Sequence, residues 1–208
     1  MKKIWLDSYP AGVSAEADID AFRSISHMFE RSVANFAHRP AYISMGTTLT
    51  YTDLDRLSGR FASYLQNTLQ VRHGTRIALM LPNLLQYPVA MFGILRAGCT
   101  VVNCNPLYTP RELNHQLRDS GAEAIVVFEN RAFVLQEALQ GTDVRSVVVT
   151  QVGDLLSFPR RAVTNFAIRT LKRMVPAWHI PGATTFHAAL RAGARQKFSP
   201  VDVAPDDL

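Results

Sequence analysis

Six histidines, two cysteines and one glycine-bounded run are the features of this 208-residue chain whose type and spacing invite chemistry. The run, Gly93-Ile94-Leu95-Arg96-Ala97-Gly98-Cys99-Thr100, nearly matches the phosphate-cradling pattern G-x-x-x-x-G-K-[ST]. Cys99 stands where the lysine that reaches the phosphates belongs. The order of elements is also reversed. The run leaves a helix and enters a strand, so its backbone N–H groups cannot open a helix onto a phosphate. Gly98 reads instead as a helix terminator. No G-x-G spacing marks a dinucleotide turn, and Ser58-Gly59 is not a G-x-S-x-G elbow. His27, His38, His73, His115, His179 and His187 form neither H-x-H nor H-E-x-x-H, and no C-x-x-C is present. No metal site and no nucleophile–base pair is therefore expected. Cys99 and Cys104 read as small buried residues in a reducing cytosol.

The elements around these residues spell an α/β scaffold. Arg76–Leu81 is a nearly continuous apolar run, as in a strand buried on both faces. A helix follows from Leu84 to Ala97, then a strand over Cys99–Asn103. Thr109-Pro110-Arg111-Glu112 opens the next helix with an N-cap Thr, a first-position Pro and a Glu completing a capping box. That helix ends at Asp119-Ser120-Gly121. Ala124–Phe128 is a strand, 132–140 a helix, and Ser146–Val149 a strand. This order predicts a parallel sheet with helices on both faces. Upstream, the pattern gives a helix over 26–37 capped by Ser26. A hairpin of Ala41–Met45 and Thr48–Tyr51 turns at Gly46, and a helix capped by Thr52 runs to Asn67. After Gly153 the alternation stops. The chain thus divides into an α/β subdomain (1–153), a basic amphipathic helical insertion (154–182) and a connector (183–208) that is loop from Phe198.

Hydrophobic residues at 48% and charged residues at 19% exclude a disordered chain. Two lysines open the sequence, but Asp7 interrupts any apolar run, so no signal peptide is expected. No stretch has the length of a membrane span, and a cytosolic protein is expected. The net charge of +5 matters through its concentration at 155–180. On a helix from Arg160, Val163, Phe166, Ala167, Thr170, Leu171, Met174, Val175 and Trp178 step by three and four residues. Arg161, Arg169, Lys172 and Arg173 fall opposite. Such a face suits an anionic membrane surface; equally, it fits a helix packed on the sheet with its basic side in water. No helix-turn-helix or interleaved aromatic-basic pattern supports nucleic-acid binding. In open α/β sheets ligands bind beyond the strand ends. Asn103 ends a strand, Asn105-Pro106-Leu107-Tyr108 follows, and the helix at Thr109-Pro110 offers N–H groups to an anion. The alternative is a plain capping turn.

Two segments carry a family resemblance. Leu49-Thr50-Tyr51-Thr52-Asp53-Leu54 resembles the early L-T-Y-x-E-L motif of the adenylate-forming enzymes, with Asp53 for Glu. Leu95 to Leu107 resembles their L-x-A-G-x-x-x-V-x-x-x-P-L motif. Ala78–Ala90, Asn105–Leu113 and the opening Lys3–Pro10 are similar to bacterial long-chain fatty-acid–CoA ligases, and the likeness covers essentially the whole chain. The resemblance implies a Rossmann-like N-terminal subdomain of an enzyme that uses ATP, CoA and Mg²⁺ on a long-chain fatty acid. Related enzymes place CoA near the Asn105–Tyr108 loop. A peripheral position on the inner face of the cytoplasmic membrane is expected, as are contact with the remainder of the ligase chain and a homodimer. The family's Y-T-G-G-T-T-G phosphate loop is expected beyond Asp206-Asp207-Leu208. No catalytic residue is therefore carried over, and the chain alone is expected to be inactive and self-associating. The alternatives are a stand-alone acyl- or lipid-binding module, a fatty-acyl-AMP ligase and an aryl-CoA ligase.

Overall fold

Short polar side chains decide where the first helices begin. The structure, a computed structural model, describes residues 3–16, 18, 21–204 and 207. Met1, Lys2 and the tail residues Pro205, Asp206 and Leu208 lie outside them. Helix α1 spans Ile25–Phe36 and is capped by Ser24, whose hydroxyl oxygen accepts the His27 N–H at 3.1 Å. Ser26, the expected cap, is buried inside the first turn. Strands β1 (Pro40–Ser44) and β2 (Thr47–Thr50) pair antiparallel through Met45-Gly46, both at positive φ. That backbone matches the twist a two-residue hairpin needs. Helix α2 (Tyr51–Asn67) is capped by Thr50, not Thr52. Thr50 accepts the Asp53 N–H, and the Asp53 carboxylate accepts the Thr50 N–H. Thr52 has an equally spaced Asp55, but that carboxylate is held by Arg96 at 2.9 Å. Tyr51 therefore belongs to the helix.

The alternating region follows: β3 (Arg76–Met80), α3 (Gln86–Arg96), β4 (Thr100–Asn103), α4 (Pro110–Ser120), β5 (Ala124–Phe128), α5 (Ala132–Ala138) and β6 (Ser146–Thr150). The capping box of α4 forms as predicted, and Gly121 closes the helix in the left-handed conformation. The near phosphate loop at Gly93–Thr100 is indeed a helix end leading into a strand. The expectation that alternation ends at Gly153 is corrected. After a short helix α6 (Arg160–Phe166), strand β7 (Thr184–Thr185) and helix α7 (Phe186–Gly193) return to the sheet. Two threonines make too short a run to register as a strand. The sheet order is β4-β3-β5-β6-β7, with every pairing parallel.

Alternate residues of the strands enter two separate cores. Ile77, Leu79, Ala124, Val126 and Val148 pack with residues of α2, α3 and α7, including Phe61, Leu65, Ile94 and Phe186. Ala78, Met80, Ile125, Val127, Val147 and Val149 pack with Leu113 and Leu117 of α4 and with Val134 and Leu135 of α5. The first helical layer is unusually close. A Cβ on Gly93 would lie 2.8 Å from the Phe61 ring and 3.0 Å from the Ser58 carbonyl, and one on Gly193 would strike the Arg60 carbonyl. Helix α2 is thus seated between two glycine-bearing helices. Arg96 locks the same layer: its guanidinium, 9% exposed, meets the Asp55 carboxylate and carbonyl, the Ser58 hydroxyl, and the Phe29 and Phe198 rings.

Gly193→Ala should destabilise the chain by about 1–3 kcal/mol, or prevent folding, because its methyl meets backbone that cannot swing away. A urea midpoint equal to the wild type would show that this glycine does not set the spacing of α2 and α7.

Candidate functional site

The sheet's carboxyl-terminal edge is where side chains and loops converge. The chain passes from β3 outward to β4, then crosses back to β5 on the other side. Such a reversal, beyond the ends of β3 and β5, is the place where open α/β sheets hold ligands. Beside it, Asn103 at the end of β4 accepts the Tyr87 hydroxyl proton at 2.9 Å, and its carbonyl accepts from Gln116 at 2.8 Å. The Asn105–Tyr108 loop folds on itself. Asn105 Oδ1 accepts the Leu107 N–H at 2.9 Å, and its carbonyl accepts the Tyr108 N–H at 3.1 Å. Arg131 donates to the Tyr108 carbonyl at 2.8 Å. Pro106 is partly buried, Tyr108 packs against the second core, and Leu107 stands 80% exposed. The N–H groups expected to receive an anion at α4 are largely taken. Thr109 donates its N–H to Glu112 at 2.8 Å, and Thr109 Oγ1 accepts the Glu112 N–H. Pro110 has no N–H to offer. The Glu112 carboxylate already occupies this helix end, where its charge would repel an arriving anion.

Sequence reasoning missed Glu129. It follows β5 directly and is only 4% exposed. One carboxylate oxygen accepts Gln151 Nε2 at 3.0 Å, and the other lies 3.4 Å from Arg169. Gln86, also buried, donates to the Gln151 carbonyl at 2.7 Å. Asp154 accepts the Thr150 hydroxyl and the Gln151 N–H, each at 2.9 Å. A carboxylate directly after an apolar strand, Phe128-Glu129, was the available signal.

This polar cluster anchors the basic segment. Asn165 of α6 accepts the Gly153 N–H at 2.8 Å and donates to Asp154 at 3.3 Å. The long helix expected from Arg160 to Trp178 is corrected. Regular winding ends with α6, a π turn covers Ala167–Leu171, and Arg173 sits at positive φ. Pro176 lacks a donor and disfavours helix at Val175, so helix cannot run on to Trp178. Trp178 leaves the apolar face and packs against the second core. Phe166, Leu171 and Met174, with Val163 and Phe158, are exposed large apolar side chains; Phe158 reaches 81% and Leu171 72%. Lys172 and Arg173 are exposed beside them, Arg161 is partly buried, and Arg169 turns to Glu129. The segment is therefore not an apolar face packed on the sheet.

Both cysteines are buried and free. Burial, aided by the Glu123 charge, pushes the Cys99 thiol up to about 12, and burial alone pushes Cys104 to about 11. Neither supplies a thiolate near neutral pH. Among the described residues no group of three or more His, Cys, Asp or Glu side chains could hold a metal ion, and no helix is long and apolar enough to cross a membrane.

Comparison with known proteins gives a consistent picture. Residues 29–169 match the family model of the AMP-binding enzyme. A long-chain-fatty-acid–CoA ligase of Escherichia coli O6:H1 is 50% identical over all 208 residues, which span 37% of that protein's length. The Salmonella typhimurium ligase of the same name is 48% identical over the same span. Among solved structures, a benzoate CoA ligase from Burkholderia xenovorans LB400 superimposes with a TM-score of 0.62 at 24% identity, covering 86% of this chain and 29% of that one. At that identity the likeness concerns the fold. The chain spans just over a third of the length of its curated relatives.

Thr109→Ala should cost about 1 kcal/mol at neutral pH. Hydrogen bonds from the Thr109 N–H and hydroxyl hold the Glu112 carboxyl below the ordinary carboxylate range. The stability it contributes is present above that range and lost as pH falls through the lowered value. Urea midpoints of wild type and variant should therefore differ less at about pH 3 than near neutrality. An equal difference at both would remove Glu112 from the cap.

Proposed function

The chain belongs to the AMP-binding enzyme family, and we propose from that premise that it is the N-terminal part of a long-chain fatty-acid–CoA ligase. One observation carries the reading: identity of 50%, sustained across every residue, to the N-terminal 37% of such ligases. In the complete enzyme a fatty acid attacks ATP to give acyl-adenylate and pyrophosphate, and the CoA thiol then displaces AMP. Mg²⁺ would spread charge on the phosphates. Among the described residues no group of three or more His, Cys, Asp or Glu side chains could hold it.

The Asn105–Tyr108 loop forms a wall on the CoA side. Its chemistry narrows the role. Asn105 is spent on the turn, and Glu112 guards the helix end against phosphates. The exposed Leu107 and the Tyr108 ring suit the neutral, less polar parts of CoA. The complete protein should convert oleate, ATP and CoA to oleoyl-CoA, AMP and pyrophosphate, and the 208-residue chain alone should not. Leu107→Ser with Tyr108→Ala should raise the KM for CoA several-fold while leaving that for ATP in place; an unchanged CoA value removes the loop from the site. Acyl-AMP that ignores CoA would indicate a fatty-acyl-AMP ligase, and preference for benzoate an aryl-CoA ligase. A stop codon directly after Leu208 would favour a stand-alone acyl- or lipid-binding module.

A second reading concerns the membrane. Phe158, Val163, Phe166, Leu171 and Met174 lie exposed among Arg160, Lys172 and Arg173, an arrangement suited to a peripheral, anionic lipid surface on the inner face of the membrane. Basic residues near such a surface contribute about 1 kcal/mol each. The complete protein should co-sediment with vesicles containing phosphatidylglycerol, and Lys172→Glu with Arg173→Glu should release it. Arg169 is left intact because it serves Glu129. Equal sedimentation of wild type and variant removes the electrostatic part.

A further inference from the structure

Helices α2, α6 and α7 and the loop after β6 line a cleft of about 300 Å³ that shares no residue with the Asn105–Tyr108 loop. Four arginines face it: Arg56 and Arg60 from α2, Arg161 from α6 and Arg191 from α7. His187 joins them. Arg56 is paired with Asp53 at 3.1 Å. Among the described residues, Arg60, Arg161 and Arg191 meet no carboxylate within 4.0 Å. Asp154 is the one acidic side chain of the lining, and its oxygens are taken by Thr150, the Gln151 N–H and Asn165. The floor is apolar, from the buried Leu49, Leu57, Leu156 and Leu190.

Guanidinium groups gathered over an apolar floor repel one another, and the low local dielectric strengthens that repulsion. Arginine stems can cover leucines while their heads remain in water. Arg60 and Arg161 are partly buried, and Arg56 and Arg191 are exposed. Planar guanidinium forks drawn from three helices around one cleft suit the several oxygens of a phosphate. We propose that this cleft binds a phosphate monoester group, with the leucine floor taking an adjoining apolar portion of the ligand. A dianion balances the three unpaired cations better than one carboxylate does. The phosphate belongs either to the head of a monoester lipid or to a soluble phosphorylated molecule. The proposal does not depend on the ligase reading.

The test titrates the full chain with inorganic phosphate against chloride at equal ionic strength, reading Tm. Phosphate should raise Tm saturably, since a ligand that binds only the folded state stabilises it. Arg60→Gln with Arg191→Gln should weaken that response at least roughly tenfold. Arg118→Gln with Arg195→Gln, which removes the same charge elsewhere, should not. If the first pair fails to fold, Arg161→Gln alone should show the weakening. Preference for phosphatidic-acid over phosphatidylglycerol vesicles, lost in Arg60→Gln with Arg191→Gln, assigns the phosphate to a lipid head; phosphate binding without that preference assigns it to a soluble molecule. No Tm response in the wild type, or an equal response in the cleft variants, overturns the proposal.

Discussion

A sheet whose strands all run parallel must be covered on both faces, because each crossover connection lays a helix on one face or the other. Here that constraint organises the whole molecule. Odd-numbered residues of β3 face α2, α3 and α7, and even-numbered ones face α4 and α5. Both faces are consumed by packing. The carboxyl-terminal ends of the strands remain for ligands, and the Asn105–Tyr108 loop, Glu129, Gln151 and Asp154 all collect there.

The two helical layers meet the demand differently. On one face, glycines at 93 and 193 let α2 approach its neighbours to backbone contact. Arg96 then closes the gap between α2, α1 and the Phe198 segment with a buried, multiply bonded charge. Removing one partner of such a charge strands the other, which makes the arrangement specific as well as strong. The other face is covered mainly by apolar packing, with Asn114 of α4 donating to the Ala138 and Gln140 carbonyls. Beyond the sheet, α6 inverts the usual arrangement. Asn165 faces inward to Gly153 and Asp154, and apolar side chains face out. An inward polar anchor fixes the segment without burying its apolar face, which leaves that face for a surface outside the chain.

Much of this was legible in one sequence. The apolar run at 76–81, the Thr109–Glu112 box and Gly121 each encode a local outcome, because strand burial, capping and a left-handed terminus depend on residues within a few positions. The near phosphate loop could be rejected from topology for the same reason. The cap of α2 was less legible. Thr50 and Thr52 each have an aspartate three residues on, and the choice fell to Arg96, distant in sequence, which claims Asp55. Strand β7 was hidden because two threonines acquire their strand character only by pairing with β6.

The sequence by itself determined the α/β class, the parallel core, the capping box of α4 and the likeness to the ligases, all of which rest on short-range pattern. Tertiary structure alone decided the rest. It placed Glu129 against Arg169 and Gln151, drew Trp178 into the core and turned the α6 apolar residues outward. It also brought Arg56, Arg60, Arg161 and Arg191 around one cleft. These outcomes join residues tens of positions apart. Which charge meets which partner depends on how the helices pack, and no local spacing records that.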